Sequence, residues 1–325
     1  MKKLGLAMQF TEAGANPVTI QYGNTLNGSL LIKTRADARL QIEKGVVNFS
    51  NQPAALPDKE ELRVRGSIPE LQVDMWREVI RQMDIEADVP GMDNLGIPLI
   101  LDMDYLHVIT REDDTPGKAE DPRKVSLING QIRKFRFNDM QLGNVVIKTS
   151  RLDDGMRVDK LSFSTPNMEV SGEGSWVLRD ETQRTNLLLM VSSEDVGSMV
   201  SSLGYLGVIR GGSMRAVVQA NWNDSPNRFG FDKLNGSLGI IINDGVLSDV
   251  NPGAGRLFGL LSLSELPRRL MLDFNELRKG FNFRQIIGQI DIVDGNAYTE
   301  NLRIISPMAL LSVDCLLYTS PSPRD

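Results

Sequence analysis

The chain has almost none of the side chains from which most catalytic and metal sites are built. Its 325 residues include one histidine, His107, and one cysteine, Cys315. Zinc sites of Cys and His, Cys-x-x-Cys redox pairs and disulfide scaffolds are therefore excluded, as is any catalytic triad that does not use His107. No run of the sequence approaches the roughly 18 apolar residues that indicate a transmembrane helix.

Positively charged residues are also fewer than negatively charged ones. Lys and Arg total 36 against 42 Asp and Glu, which gives a formal net charge of -6. A generally basic nucleic-acid-binding protein shows the opposite balance, so we expect no nucleic-acid partner. The hydrophobic fraction of 41% and the charged fraction of 24% are those of a globular chain, which excludes disordered and collagen-like proteins.

The sequence is rich in residue pairs that favour tight turns, and these pairs lie among short segments in which apolar and polar residues alternate. Asn-Gly and Asp-Gly pairs adopt the positive φ angles of type I′ hairpins at least cost, and the chain has six of them. They are Asn27-Gly28, Asn129-Gly130, Asp154-Gly155, Asn235-Gly236, Asp244-Gly245 and Asp294-Gly295. Period-two segments flank several of these pairs and recur along the chain, which predicts a mainly β protein. Strand, tight turn and strand repeat loosely, which favours an elongated antiparallel meander of hairpins.

The period-two pattern also predicts which side chains share one face of the sheet. In the C-terminal half, the apolar residues of each strand have the same parity. We expect this apolar inner face to include Ala216, Val218, Leu238, Ile240, Ile242, Ile290 and Ile292.

Three helical segments interrupt the strand pattern, near residues 73–86, 193–203 and 253–270. Apolar residues at helical spacing indicate the first helix. The second is indicated by a Ser cap at its start and by Gly204 after its end. The third is indicated by Pro252 and by the leucine-rich stripe that follows it. Together with the loops they predict an N-terminal β segment over 1–120 and a C-terminal β segment over 121–314. Residues 315–325 read as a non-native tail, because the composition changes abruptly and two prolines follow.

Two candidate chemical sites have simpler interpretations. Asp102 and Asp104 form an Asp-x-Asp pair that could hold a metal, but apolar residues alternate with them, which places both carboxylates on the solvent side of a strand. His107 has no motif partner and is better explained as a strand residue than as a general base. With no catalytic constellation in the sequence, we expect a protein that is not an enzyme and that uses no metal or cofactor.

The third helical segment is both basic and apolar, and two interpretations stay open. It could lie on an anionic membrane surface or hold a lipid headgroup, or it could close one end of the β structure, with its arginines paired to Glu265 and Asp273. The membrane or headgroup candidates are Arg256, Leu257, Phe258, Leu260, Leu261, Arg268 and Arg269.

The same region resembles a known family. Residues 251–263 read Asn-Pro-Gly-Ala-Gly-Arg-Leu-Phe-Gly-Leu-Leu-Ser-Leu, and Leu266-Pro267-Arg268-Arg269-Leu270 follows. With Lys279-Gly280-Phe281 and the upstream segment Leu62-Arg63-Val64-Arg65-Gly66, these motifs are similar to the C-terminal region of the YhdP branch of the AsmA-like family. The resemblance covers the chain up to about Ser312.

The resemblance implies a bacterial envelope protein with a curled β-sheet whose apolar groove carries phospholipid toward the outer membrane. It also implies a periplasmic location, an N-terminal inner-membrane anchor in the full-length protein, and phospholipid and the inner and outer membranes as partners. This chain has no such anchor segment, so we expect it to be a fragment. The alternative is a structural or assembly factor of the envelope that binds protein partners instead of lipid.

Overall fold

The computed structural model describes residues 4–8, 15–34, 40–72, 97–109, 121–203, 209–247, 280–307 and 310–317. Within these ranges the chain forms sixteen strands, one α-helix and two 3₁₀ turns, so the predicted mainly β fold is confirmed. The first eight strands are β1 (Leu4–Met8), β2 (Ala15–Tyr22), β3 (Leu26–Thr34), β4 (Leu40–Phe49), β5 (Leu62–Gln72), β6 (Leu99–Ile109), β7 (Ile128–Phe137) and β8 (Met140–Leu152). The remaining elements are β9 (Gly155–Thr165), β10 (Met168–Arg179), β11 (Thr182–Ser193), α1 (Val196–Ser202), β12 (Ile209–Trp222), η1 (Pro226–Arg228), η2 (Phe231–Lys233), β13 (Asn235–Leu247), β14 (Phe281–Val293), β15 (Asn296–Ile305) and β16 (Leu310–Leu317).

The strands lie side by side in the order of the sequence, from β1 to β16. Two-residue turns join β7 to β8, β8 to β9, β9 to β10, β10 to β11 and β14 to β15, and a connection this short permits only antiparallel pairing. Asp294-Gly295 forms one of these turns, with φ of 47° and 77°, as the sequence predicted. Asp180-Glu181 also has positive φ at both residues, 48° and 62°, without a glycine.

Most of the predicted Asn-Gly and Asp-Gly turns are wrong. Asn27-Gly28, Asn129-Gly130, Asn235-Gly236 and Asp244-Gly245 all lie within strands, and Gly155 begins β9 just after the turn. At Gly130 the reason is a close approach between strands, since an added Cβ would lie 2.9 Å from Leu101 Cβ. A glycine in a strand marks such a contact as readily as it marks a turn.

Three strand pairs depart from the expected antiparallel pairing. β4 pairs with β5, β5 with β6 and β6 with β7 in parallel. Parallel neighbours require a crossover of about a dozen residues, and the connection from Phe49 to Leu62 has that length. The alternation of side chains is the same in parallel and antiparallel strands, so the sequence pattern could not distinguish them.

The chain divides into two compact units. Unit 1 comprises Met1–Phe163, Glu173–Arg184 and Asp224–Arg228, and unit 2 comprises Ser164–Gly172, Thr185–Asn223 and Phe229–Asp325. The core of unit 1 is one apolar sheet face. Its buried members are Val18, Leu30, Leu62, Val64, Ile97, Leu99, Met103, Ile132 and Val145.

Unit 2 contains α1, which lies within the range 193–203 where the sequence predicted a helix. The predicted Ser cap is wrong, because Asp195 occupies the N-cap position. The Asp195 carboxylate caps it by accepting a hydrogen bond of 3.0 Å from the Ser198 backbone N–H, as expected for an N-cap. Val196 and Met199 are buried, and Gly197 lies directly against the backbone of residues 209–211. The helices predicted near 73–86 and 253–270 lie outside the described residues.

The sequence prediction placed the start of the non-native tail at residue 315, which is too early. β16 continues through residues 315–317, and Cys315 and Leu317 are register partners of Thr299 and Ala297 on β15. The strand pattern therefore extends three residues beyond the predicted boundary at 314. In the part of the chain that the structure describes, no helix is long and apolar enough to cross a membrane.

Candidate functional site

The candidate site is one face of the unit 2 sheet, which we call the apolar face. Register pairs align its residues in rows across β12, β13 and β14. One row is Val218, Leu238 and Ile290, and the next contains Ala216 and Ile240. The seven residues that the sequence placed on an inner face all lie here: Ala216, Val218, Leu238, Ile240, Ile242, Ile290 and Ile292. Whether they contact lipid stays a prediction.

Burial distinguishes the two faces of the same strands. Ala216 and Ile242 are buried and the other five residues are half-buried, whereas Ile241 and Gln289, with the opposite parity, are exposed. The period-two pattern therefore predicted which side chains share one face of the sheet in this unit.

The apolar face extends beyond the predicted set onto β11. Leu187, Leu189 and Val191 pair with Ala220, Val218 and Ala216 of β12, and all three are half-buried. The three residues alternate along β11 with residues of the opposite face, so the same period-two pattern assigns them to the apolar face.

A further row, Met214, Ile242, Ile286 and Ile304, crosses β12 to β15. All four are buried, with exposures of 8%, 5%, 8% and 2%. The apolar face is thus fully covered along this row and only half covered along the rows of Val218 and Ile240. The opposite face is mixed, since it presents the exposed polar side chains of Arg215, Gln219 and Asp291 together with the exposed apolar side chains of Leu188, Met190, Val217 and Ile241.

Beyond the buried row, left-handed residues interrupt the ladder between two neighbouring strands. Gly211 and Gly212 on β12 have φ of 63° and 82°, and Asp244 on β13 has φ of 52°. Past these residues the buried side chains have odd numbers, Ile209 and Phe283, although the buried residues of the preceding row have even numbers. Left-handed residues within strands locally disrupt the ladder, and the register of β12 and β13 accordingly omits the pair of Gly212 and Asp244.

A shallow, open cavity lies among the ends of β12, β13 and β14. It is lined by Arg210, Gly211, Asp244, Gly245, Val246, Asn282 and Phe283. One cation, one carboxylate and one amide therefore border the cavity together with apolar surface from Val246 and Phe283. Sequence reasoning missed this site, because Asp244-Gly245 was interpreted as a hairpin turn.

The two simpler interpretations of candidate chemical sites agree with the structure. Asp102 and Asp104 are exposed on β6, and Arg133 Nη1 lies 3.0 Å and 3.1 Å from their carboxylate oxygens. His107 is half-buried, and its Nε2 lies 3.0 Å from the Asn138 carbonyl oxygen. Within the described ranges, no three His, Cys, Asp or Glu side chains form a group that could hold a metal ion.

The predicted membrane or headgroup candidates between Arg256 and Arg269 lie outside the described residues, and their role stays a prediction.

Comparison with known proteins gives the following similarities. A family model described as the YhdP protein matches residues 80–314. The chain is also 28% identical over 134 residues to the intermembrane phospholipid transporter YhdP of Escherichia coli strain K12. That match covers 41% of this chain and 11% of the length of the relative. No solved structure matches the chain.

Proposed function

Because the chain belongs to the YhdP family, we propose that it is a segment of a non-enzymatic protein that transfers phospholipid between membranes. The apolar face of unit 2 shields the acyl chains of the lipid. In the longer protein this segment lies in the periplasm, the protein is anchored in the inner membrane, and lipid passes between the inner and outer membranes.

The observation that carries the proposal is the half-buried state of the apolar face. Eight apolar side chains, from Leu187, Leu189 and Val191 on β11 to Ile290 and Ile292 on β14, form adjacent rows without being fully buried. An apolar sheet face in a globular domain normally packs against a second layer. Here acyl chains supply part of that cover.

The energetics explain why a transported lipid needs such a face. Each methylene that leaves water is stabilised by roughly 0.8 kcal/mol, so a dozen methylenes represent on the order of 10 kcal/mol. A lipid that crosses an aqueous gap therefore needs apolar surface along its path. The rows that run from β11 to β14 provide such a path across four neighbouring strands.

Native mass spectrometry of the purified chain tests the proposal. We expect co-purified phospholipid on the wild-type protein and on Ser237→Arg, which changes the opposite face of β13. Leu238→Arg changes the adjacent residue on the apolar face, and its lipid should be lost because a guanidinium now lies among the acyl chains. A wild-type protein that is free of lipid after exposure to phospholipid vesicles would contradict the proposal.

The alternative, an envelope assembly factor, has one structural feature in its favour. Met190 and Val217 are register partners on the opposite face, and they are 56% and 46% exposed. Exposed apolar neighbours are typical of protein-binding surfaces. A lipid-free chain whose binding to a defined envelope protein is abolished by Met190→Glu would favour this function.

A further inference from the structure

Gly239 lies in the middle of β13, on the face opposite to the apolar face, and its local structure does not require a glycine. Its register partners are Val217 on β12 and Gln289 on β14. An added Cβ would meet no atom within 4 Å, and the φ angle of Gly239 lies outside the left-handed region that favours glycine. A glycine inside a strand weakens the strand, and it often marks a place where another molecule approaches closely.

Apolar side chains surround the gap that this glycine leaves. Val217 beside it is 46% exposed, and Ile241, two residues further along β13, is 39% exposed. Ile287 on β14 is the register partner of Ile241 and is half-buried. We call Val217, Gly239, Ile241 and Ile287 the glycine patch. It is an apolar surface with a gap that an apolar side chain of a partner fills.

Two arginines flank the glycine patch in one row across four strands. Arg215 on β12 pairs with Ile241, and Arg303 on β15 pairs with Ile287. Both arginines are exposed, and within the described ranges neither forms an ion pair. The row therefore consists of two isoleucines with a positive charge at each end. Neighbouring strands are about 4.8 Å apart, so the backbones of the two arginines lie about 14 Å apart.

These dimensions favour an α-helix that lies along β13 and β14. A helix with its side chains is about 10–12 Å wide, so it fits between the two arginines with its apolar stripe on Ile241 and Ile287. Its two flanks then lie against Arg215 and Arg303, and acidic side chains on both flanks complement those charges. A bilayer surface has no fixed side chain with which to fill the gap at Gly239, so the glycine favours a protein partner.

We propose that the glycine patch docks an amphipathic helix of a partner protein, with glutamate or aspartate on both sides of its apolar stripe. One apolar side chain of the helix fills the gap at Gly239, and the carboxylates accept hydrogen bonds from the guanidinium groups of Arg215 and Arg303. The proposal goes beyond the proposed function and does not depend on it, because docking uses the opposite face of the sheet.

Fluorescence anisotropy with a synthetic peptide tests the proposal on the full chain. The probe is a helical peptide of about five turns, with leucines on one face and glutamates on both flanks. The reference peptide has glutamine in place of each glutamate. Two exposed ion pairs of ordinary strength correspond to about tenfold in affinity, so we expect the glutamate peptide to bind about tenfold more tightly than the glutamine peptide.

Variants of the chain separate docking from folding. Gly239→Val should raise the urea midpoint, because valine has the higher strand propensity, and should weaken the glutamate peptide by at least about tenfold, because the side chain fills the gap. A purely structural role of Gly239 would instead lower the midpoint. The double variant Arg215→Gln with Arg303→Gln should remove the difference between the two peptides. Arg65→Gln, at an exposed arginine on β5, is the matched control and should retain it.

Three results would overturn the proposal. The first is equal binding of the two peptides to the wild-type chain, or binding of neither. The second is binding of the glutamate peptide that Gly239→Val leaves unchanged. The third is loss, in Gly239→Val, of self-association in sedimentation velocity or of retention on vesicles of dioleoyl phosphatidylethanolamine and dioleoyl phosphatidylglycerol, which would assign the face to a second copy or to a membrane.

The test also keeps this proposal separate from the proposed function. Lipid on the apolar face, measured by native mass spectrometry, should be the same in the wild-type chain and in Gly239→Val. A chain that binds the glutamate peptide but no lipid would refute the proposed function alone. A chain that binds lipid but does not distinguish the peptides would refute the docking of a helix alone.

Discussion

Ile240 is the residue at which lipid shielding and folding can be separated. Its side chain is half-buried on the apolar face, between register partners Ala216 on β12 and Gly288 on β14. We expect Ile240→Asp to remove bound lipid while the protein stays folded. A hydrated carboxylate in the middle of the rows prevents acyl chains from lying there, because burying an unpaired charge is costly.

The expected loss of stability follows from the burial of the side chain. Full burial of an isoleucine side chain contributes about 1.5–3 kcal/mol to the free energy of unfolding. Because Ile240 is only half-buried, removing its side chain loses about 1 kcal/mol. The lower β propensity of aspartate adds up to roughly 1 kcal/mol. The free energy of unfolding should therefore fall by about 2 kcal/mol, within the range of ordinary single substitutions.

The two neighbouring isoleucines provide matched controls. Ile241 lies on the opposite face and is 39% exposed, so Ile241→Asp should cost about 1 kcal/mol and leave lipid binding unchanged. Ile242 is 5% exposed, and Ile242→Asp should cost more than about 4 kcal/mol, because the carboxylate is buried without a partner.

Urea denaturation measures the stability of the three variants, and crosslinking to a photoactivatable phospholipid measures lipid contact. Unfolding of Ile240→Asp to the extent expected of Ile242→Asp would show that the apolar face is a closed core. Full crosslinking of a folded Ile240→Asp variant would show that lipid does not occupy this face.

Three further changes test the local physics of the fold. Glu181→Gly should raise the free energy of unfolding by about 1 kcal/mol in urea denaturation, because Glu181 has φ of 62° and glycine adopts this conformation without strain; no gain would contradict this account of the turn. Gly155→Ala should lower stability by about 2–3 kcal/mol, since the new Cβ would lie 2.2 Å from the Trp176 carbonyl oxygen, and an unchanged midpoint would refute that contact. Hydrogen bonds from the Ser198 side chain and backbone lower the pKa of Asp195, so its stabilising effect is present above the usual aspartate pKa and is lost as the pH falls from that usual value through the lowered pKa. Asp195→Asn should therefore show a shallower loss of stability over that pH range, and a parallel loss would contradict the assignment.

The sequence predicted the apolar face of unit 2 because that face depends on one short-range rule. Val218, Leu238 and Ile290 alternate with residues of opposite parity on their own strands, and antiparallel pairing then places them in one row. No long-range information was needed for this assignment. The turn at Asp294-Gly295 was predictable for the same reason, since two adjacent residues determine it.

Other features depend on contacts that the sequence pattern does not contain. The parallel pairing of β4 to β7 depends on which neighbour each strand finds after its crossover, and the residue alternation is the same for either direction. The interruption of the ladder at Gly212 and Asp244 comes from left-handed residues on two strands that are far apart in sequence. The shallow cavity beside it was therefore not predictable from local patterns.

Site-specific photocrosslinking on β12 tests the central claim most directly. Val218 faces the half-buried rows and Gln219, the next residue, is exposed on the opposite face. A photoreactive amino acid is placed at each position in turn, and the chain is illuminated with radiolabelled phospholipid vesicles. If the apolar face shields acyl chains, position 218 yields lipid adducts and position 219 does not. Equal labelling at both positions, or labelling at 219 alone, would contradict the account.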